Sequence, residues 1–467
     1  MKSLHNTPQA DLHCPGPTAD LNPHSMSAFP HPFAIPAFRA YFLARLSNTL
    51  AQIAMVVVIG WQVYDIARET MTIRQSAFQL GLIGVAQFLP LLVLSLVAGW
   101  VADRIDRRWI ARGSVALEGS CALLLAWLTY SGAITLPWLF FVAAMLGVAR
   151  AFAGPALQAL APNLVPAAVL PTAIAMSSIA WQGGSVLGPA MGGYLYAAGH
   201  YVPYAVSAGL FLFGLAMLFL IPPIPRAVIA GKANPWRQML DGLSYVRRNR
   251  LVFGAISLDL FAVLLGGATA MLPIYARDIL QIGADGLGHL RAAPALGAVV
   301  VAAVFAVKPL SRDVGAKMLL SVMGFGAATA LFGLSAPLLL PVFGQAAIGS
   351  DFAPAVLLAL AALFVVGATD MVSVYVRQSL IQLHTPDAMR GRVGAVSTLF
   401  VSGSNELGEA RSGFLAALVG PVVAVAGGGI LAIGVTMLWS RLFPELRAAR
   451  SFTPPKDLEV IPKETQP

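Results

Sequence analysis

The sequence predicts an all-α integral membrane protein, with twelve transmembrane helices in two six-helix pseudo-repeat halves. Three observations lead there. Of 467 residues, 58% are hydrophobic and only 11% charged, with a mean hydropathy of +0.76, whereas soluble proteins carry about 25% charged residues. A bilayer core needs about 20 apolar residues per helix, and the chain supplies many such runs separated by short polar turns. A polar connector divides the runs six and six, and segments of the two halves align without gaps.

In chain order, residues 1–36 are rich in Pro, Ser and His and lack the apolar core of a signal peptide. They are expected to form a disordered cytoplasmic tail. Its histidines, His5, His13, His24 and His31, are spaced irregularly, which argues against a metal site. The first half is expected over residues 37–224, with apolar runs at about 40–63, 76–100, 109–130, 136–160, 168–197 and 201–223. A basic cytoplasmic connector, residues 225–250, leads into the second half, residues 251–442. Its runs lie at about 251–276, 287–307, 316–338, 353–382, 391–419 and 421–442, and a polar cytoplasmic tail covers 443–467.

Twelve spans put both termini on one side. On that layout 22 of the 30 Lys and Arg fall on the side of the termini, Arg68, Arg74, Arg277 and Arg291 fall opposite, and Arg45, Arg150, Arg377 and Arg411 lie inside spans. This is the bias of the positive-inside rule, which makes the side of the termini cytoplasmic. It also accounts for the net charge of +9 without a nucleic-acid partner. The two cysteines, Cys14 and Cys121, suggest neither a disulfide framework nor a metal site, and no cofactor is expected.

The halves carry a visible repeat. Pro166–Ala197 aligns with Pro386–Ala417 at an offset of 220 residues. The identities include Pro166/Pro386, Leu187/Leu407, Gly188/Gly408 and Gly193/Gly413. The fifth and eleventh helices are therefore counterparts, and repeats of this kind place a substrate site between halves near the midplane.

The turn after the second span, GWVADRIDRR, Gly99 to Arg108, concentrates two acids and three arginines in ten residues. Gly99 allows close helix approach, and Asp103 can accept from the N-terminus of a facing helix. A plain basic loop that fixes topology would carry the same charge. The turn resembles the signature of the major facilitator superfamily between its second and third helices, with Asp106 where a glycine is usual. That resemblance implies the major facilitator fold. It also implies a gating latch of Gly99, Asp103, Arg104, Asp106, Arg107 and Arg108 facing the start of the eleventh helix at Thr385–Arg392. Lys308 to Lys317, where a copy of the loop belongs, keeps the basic charge and loses the pattern.

Two further motifs add to the likeness. In the fifth helix, Gly184, Gly188, Pro189, Gly192 and Gly193 spell GxxxGPxxGG, similar to the signature of the superfamily's proton-coupled exporters. Ala175 stands where that pattern has another glycine. Small residues bring helices close and Gly-Pro bends them, although glycines at this spacing also serve packing alone. Arg150, in ARAFAG, resembles the family's Arg-x-x-x-Gly signature, completed by Gly154, with Ala153 in place of the usual glutamine. An arginine near midspan costs about 2.5 to 3.5 kcal/mol, so it must face water or an acid. The most specific stretch is Thr385 to Gly413, centred on SNELGE. With WQVYDIA, Trp61 to Ala67, it resembles the branch of bacterial siderophore exporters and related exporters of lipophilic drugs.

The residues themselves supply a coupling site. Ser402, Asn405, Glu406 and Glu409 fall at i, i+3, i+4 and i+7, one stripe of a helix. In the repeat, Glu406 and Glu409 replace Val186 and Pro189. The second half thus carries acids where the first carries its bending motif. Arg150, Glu406 and Glu409 are the candidates for proton coupling; the alternative is that Glu409 is neutralised by Arg411 or Arg150. Asn48, Gln52, Gln182, Asp259, Asp370 and Asn405 are candidate polar residues of the cavity, and Asp259 and Glu118 read as lone acids. Arg45 is placed to snorkel to the cytoplasmic surface.

No GxxxxGK, HExxH or GxSxG is present, so neither ATP-driven nor hydrolytic chemistry is expected. The expectation is a transporter, not an enzyme. The resemblance implies a monomer in the bacterial inner membrane that exports a siderophore or other amphipathic small molecule by proton antiport with alternating access. Its partners would be that substrate, protons and the lipid bilayer. Multidrug efflux without a siderophore role, solute uptake by symport and a non-transporting membrane sensor are the alternatives.

Overall fold

A computed structural model describes residues 32–166, 169–223 and 235–452. Within them, the side chains at 95–100, 102–104, 158–159, 162, 171, 175, 235–239, 387–388, 390–391, 395, 398 and 402 lie outside the described set. So do both terminal tails beyond residues 32 and 452.

The described chain is helical, with no strand among the described residues. The first six long helices are α1 (Pro36–Thr70), α2 (Ile73–Arg104), α3 (Arg107–Tyr130), α4 (Leu136–Leu160), α5 (Leu170–Ala198) and α6 (Val202–Phe219). The connector contains α7 (Pro235–Arg248). Then come α8 (Arg250–Gly266), the short α9 (Leu272–Ile274), α10 (Gly283–Val307), α11 (Val314–Gly333) and α12 (Ser335–Phe343). The last are α13 (Pro354–Leu383), α14 (Asp387–Val419), α15 (Pro421–Leu442) and α16 (Pro444–Ala448).

Local sequence sets these boundaries. Proline opens α1, α7, α13, α15 and α16, where its missing N–H would have found no helical partner. Thr72 and Gln75 close a capping box at the start of α2. Asp106 and Asn249 accept from backbone N–H groups to cap α3 and α8.

Among the described residues, ten helical segments are long and apolar enough to cross a membrane, Arg250–Ile279 counting as one. The long helices α5 and α14 bring the number of span-length segments to twelve. α14 is the least apolar of them because Asn405, Glu406, Glu409 and Arg411 lie in its middle.

The repeat read from sequence reappears in the contacts. A methyl on Gly188 of α5 would meet Ile53 of α1 at 2.9 Å, and one on Gly408 of α14 would meet the Val263 carbonyl of α8 at 3.1 Å. Five residues further along the same two helices, Gly193 would meet Gly288 Cα of α10 at 2.6 Å and Gly413 would meet Gly81 Cα of α2 at 2.5 Å. Counterpart glycines therefore touch counterpart helices. Gly188 and Gly408 act within a half, whereas Gly193 and Gly413 hold one half to the other.

α7 lies on the start of α14, where Asp241 pairs with Arg392 at 3.4 Å. That side of the bundle is the connector end. The side where α1 ends and α2 begins is the far end, and the Gly193 and Gly413 contacts lie toward it.

Two expectations for arginines need correction. α10 begins at Gly283, not near residue 287, so Arg291 lies about 12 Å along the helix axis, inside the span and not on the far side. Arg45 does not reach the surface: it is buried, and its Nε donates to the Ser177 carbonyl of α5 at 3.2 Å.

Candidate functional site

The centre of the molecule is a line of charges drawn from four helices. Arg150 of α4 pairs with Glu406 of α14 at 2.8 Å, which joins the first half to the second. Glu118 of α3, only 2% exposed, lies within electrostatic reach of Arg150. Glu409, one turn beyond Glu406, senses Glu406, Arg291 of α10 and Arg150, in that order. The series is therefore Glu118, Arg150, Glu406, Glu409 and Arg291. It sets three carboxylates against two guanidiniums, and unmatched charge is costly in a low-dielectric interior.

Helical spacing places these groups. Glu406 and Glu409 share one face of α14 because three residues make most of a turn. α14 also approaches α2 closely, through the Gly81 and Gly84 contacts with Ala410. This holds the acid-bearing face near the first half.

Arg411, considered above as a partner for Glu409, is spent elsewhere. Its Nη1 donates to the carbonyls of Leu265 at 2.7 Å and Leu264 at 3.3 Å. Ser412 Oγ donates to the Gly267 carbonyl at 2.9 Å. α8 stops at Gly266, and carbonyls freed by a broken membrane helix need new donors. Arg411 and Ser412 provide them.

A second set of charges closes the far end. Arg68 of α1 donates to Asp278, with the closest contact at 3.1 Å, and Tyr64 Oη donates to the same carboxylate at 2.5 Å. In the opposite sense, Asp65 of α1 pairs with Arg277, whose guanidinium also donates to the Asp65 carbonyl at 2.9 Å. Arg277 and Asp278 lie in the π-helical turn after α9. The two pairs cross between halves. Sequence reasoning missed this latch, although WQVYDIA contains Tyr64 and Asp65. The signal was an acid and a base three residues apart at one span end, facing Arg-Asp at another.

A Major Facilitator Superfamily profile matches residues 37–408. The chain belongs to the Major Facilitator Superfamily. It is therefore a multi-pass membrane transporter of small molecules, not an enzyme. It is similar to the Enterobactin exporter EntS of Shigella boydii serotype 18, 30% identical over 431 residues, covering 90% of this chain and 95% of that one. The Enterobactin exporter EntS of Escherichia coli O139:H28 matches with the same identity and coverage. The fold is similar to that of the inward-open xylose transporter XylE from E. coli, with a TM-score of 0.63 at 14% identity, covering 89% of this chain and 97% of that chain.

The superfamily's loop signature is only partly within the described residues. Gly99, Asp103 and Arg104 lie in the last turns of α2, with side chains outside the described set. Arg107 opens α3 and is half-buried. Asp106 caps α3 by accepting from the Arg108 N–H at 2.9 Å and pairs with the Arg108 guanidinium at 2.6 Å. These hydrogen bonds from Arg108 hold its carboxyl below the ordinary carboxylate range. Arg108 also donates to the Ile221 carbonyl, and Arg112 to the Leu218 carbonyl at 3.0 Å. These arginines tie α3 to the end of α6 within the first half.

In the superfamily's exporter motif, Gly184 and Gly192 join Gly188 against α1, at Thr49 and Ala54. Pro189 lies inside α5.

The candidate cavity residues separate. Asn48 is buried in the α1–α6 interface, against the space left by Gly214. Gln52 is half-buried, and Gln182 and Asn405 are exposed. Asp259 is not a lone acid: it pairs with Arg377 of α13 inside the second half, beside Asp370.

Proposed function

We propose that this transporter exports a siderophore or similar amphipathic small molecule across the bacterial inner membrane, in exchange for protons. The Arg150–Glu406 pair is the observation that carries this reading. It joins the halves at midspan, inside a series with one more carboxylate than guanidinium. One proton restores the charge balance of that series. A proton on Glu406 removes the attraction that holds α14 to α4 and frees the Arg150 guanidinium for an anionic group of the substrate. Loss of the proton on the other side restores the pair. Closure of the far end by the crossed latch, alternating with closure at the connector end through Asp103, Arg104 and Arg107, completes an alternating-access cycle. The excess of basic residues at the connector end supports its assignment, with both termini, to the cytoplasm. Each half contributes one side of the path, so a monomer suffices.

The relatives' names support the siderophore reading over general drug efflux. The test is efflux of enterobactin, and separately of a lipophilic dye, from cells with and without an uncoupler. Coupled export predicts that collapse of the proton gradient stops efflux and that Glu406→Gln stops it equally. Efflux that ignores the uncoupler removes proton drive. Dye efflux without enterobactin efflux would favour the multidrug role.

A further inference from the structure

The second half contains a polar chamber that the Arg150–Glu406 series does not use. Asp259 of α8 and Arg377 of α13 form an ion pair with side chains 6% and 4% exposed. Asp370 and Ser373 precede Arg377 by seven and four residues on α13, so all three share one face. Between these helices and α11 lies a small space walled by Asp259, Ala262, Val322, Phe325, Asp370 and Ser373. It admits the centre of a water-sized sphere over about 10 Å³, which is room for one water molecule or one bare ion.

Two of its features are incomplete without a ligand. Two carboxylates face one guanidinium, and Asp370 has no ion-pair partner among the described residues. Ser373 is 4% exposed, and its hydroxyl has no hydrogen-bond partner. Nearby hydroxyls behave differently: Ser257 donates to the Phe253 carbonyl at 2.6 Å and Thr369 to the Val365 carbonyl at 2.7 Å. A buried polar group left unpaired costs about 1 to 3 kcal/mol. The apolar walls, Ala262, Val322 and Phe325, offer Ser373 nothing.

We propose that this chamber binds a monovalent cation of sodium's size, through the carboxylates of Asp259 and Asp370 and the hydroxyl of Ser373, with Arg377 as the fixed countercharge. Hard cations take oxygen ligands, and oxygen is what the chamber presents. Charge selects the valence. Two carboxylates and one guanidinium leave a single negative charge, which a monovalent ion cancels and a divalent one over-compensates. A proton on Asp370 would also cancel it, and is the occupant against which the test is set. The site is independent of the proposed proton coupling, because it is read by binding and not by transport.

The experiment uses the purified full-length protein in detergent at pH 8, with sodium replacing choline at constant ionic strength. Binding of radioactive sodium and the thermal midpoint are followed together, since a ligand that binds only the folded state raises the midpoint with concentration. A single saturable sodium site that raises the midpoint is expected. Asp370→Asn and Ser373→Ala should each weaken it at least tenfold, and Glu406→Gln should retain it. Ser373→Ala guards against misfolding of the Asp370 variant, since it removes an unpaired group and no charge. Absence of saturable sodium binding to the wild type overturns the proposal, as does binding unaffected by both chamber variants or lost in Glu406→Gln. Stabilisation by acid alone, with no effect of sodium, assigns the chamber to a proton and equally overturns it.

Discussion

The Arg150 guanidinium and the Glu406 carboxylate meet at 2.8 Å across the line where the two halves face each other. Removing one partner of a buried pair strands the other and costs about 3 to 5 kcal/mol. Arg150→Gln should therefore lower the thermal midpoint in detergent, and Glu406→Gln should lower it less, because it leaves two carboxylates against two guanidiniums in the series. The double variant should recover part of the loss, with a coupling of about 1 to 3 kcal/mol. Strictly additive effects in that cycle would dismiss the pair.

The glycine contacts between halves should tolerate no side chain. Gly193 and Gly413 each meet backbone of the other half, so Gly193→Val and Gly413→Val force the far end apart. Transport should fall at least tenfold in both. Gly183, whose nearest neighbour is a Leu46 methyl at 3.8 Å, is the control, and Gly183→Ala should transport normally. Equal effects at all three sites would contradict the contact geometry.

Charge reversal tests the far-end latch. Asp65→Arg should open that end, raising several-fold the rate at which a membrane-impermeant maleimide labels a cysteine placed nearby. Adding Arg277→Asp should restore slow labelling. Both members of this pair are about one-third exposed, 32% each, so the energetic gain is about 1 kcal/mol. If the double variant labels as fast as the single, the pair does not hold the end closed.

Asp106 predicts a pH dependence. Its carboxyl is held below its ordinary value by hydrogen bonds from Arg108. The stabilisation is therefore complete above the ordinary carboxylate pKa of about 4 and disappears as pH falls through the lowered value. Asp106→Asn keeps a capping oxygen and loses the charge. It should be less stable than wild type by up to about 1 kcal/mol at neutral pH and equal to it in strong acid. A difference that persists in acid would point to lost capping.

Much of this was legible in sequence. The six-plus-six division and the offset repeat follow from hydropathy and identity alone, and Gly193 and Gly413 touch equivalent helices as the repeat requires. The stripe on α14 placed Glu406 and Glu409 on one face, because helical spacing is local information. Partner choice is not local. Asp259 read as a lone acid because Arg377 comes to it from another helix, and Arg411 read as a counter-ion because nothing marked the break at Gly266. Arg291 was misplaced for a simpler reason: close to the start of the run at about 287–307 it was counted with the far side, whereas a helix that starts at Gly283 carries it to the interior. The crossed pairs of α1 and the π-helical turn were missed because neither member of a pair is unusual at a helix end by itself.

The crossed latch has an electrical consequence. Asp65 and Arg68 come from one half, and Arg277 and Asp278 from the other. Each half thus presents one positive and one negative group, and drawing the halves apart displaces no net gating charge. Moving one elementary charge through the field is worth about 2.3 kcal/mol per 100 mV, and this step is exempt from that bias. A membrane potential can therefore rise or collapse without forcing the far end open.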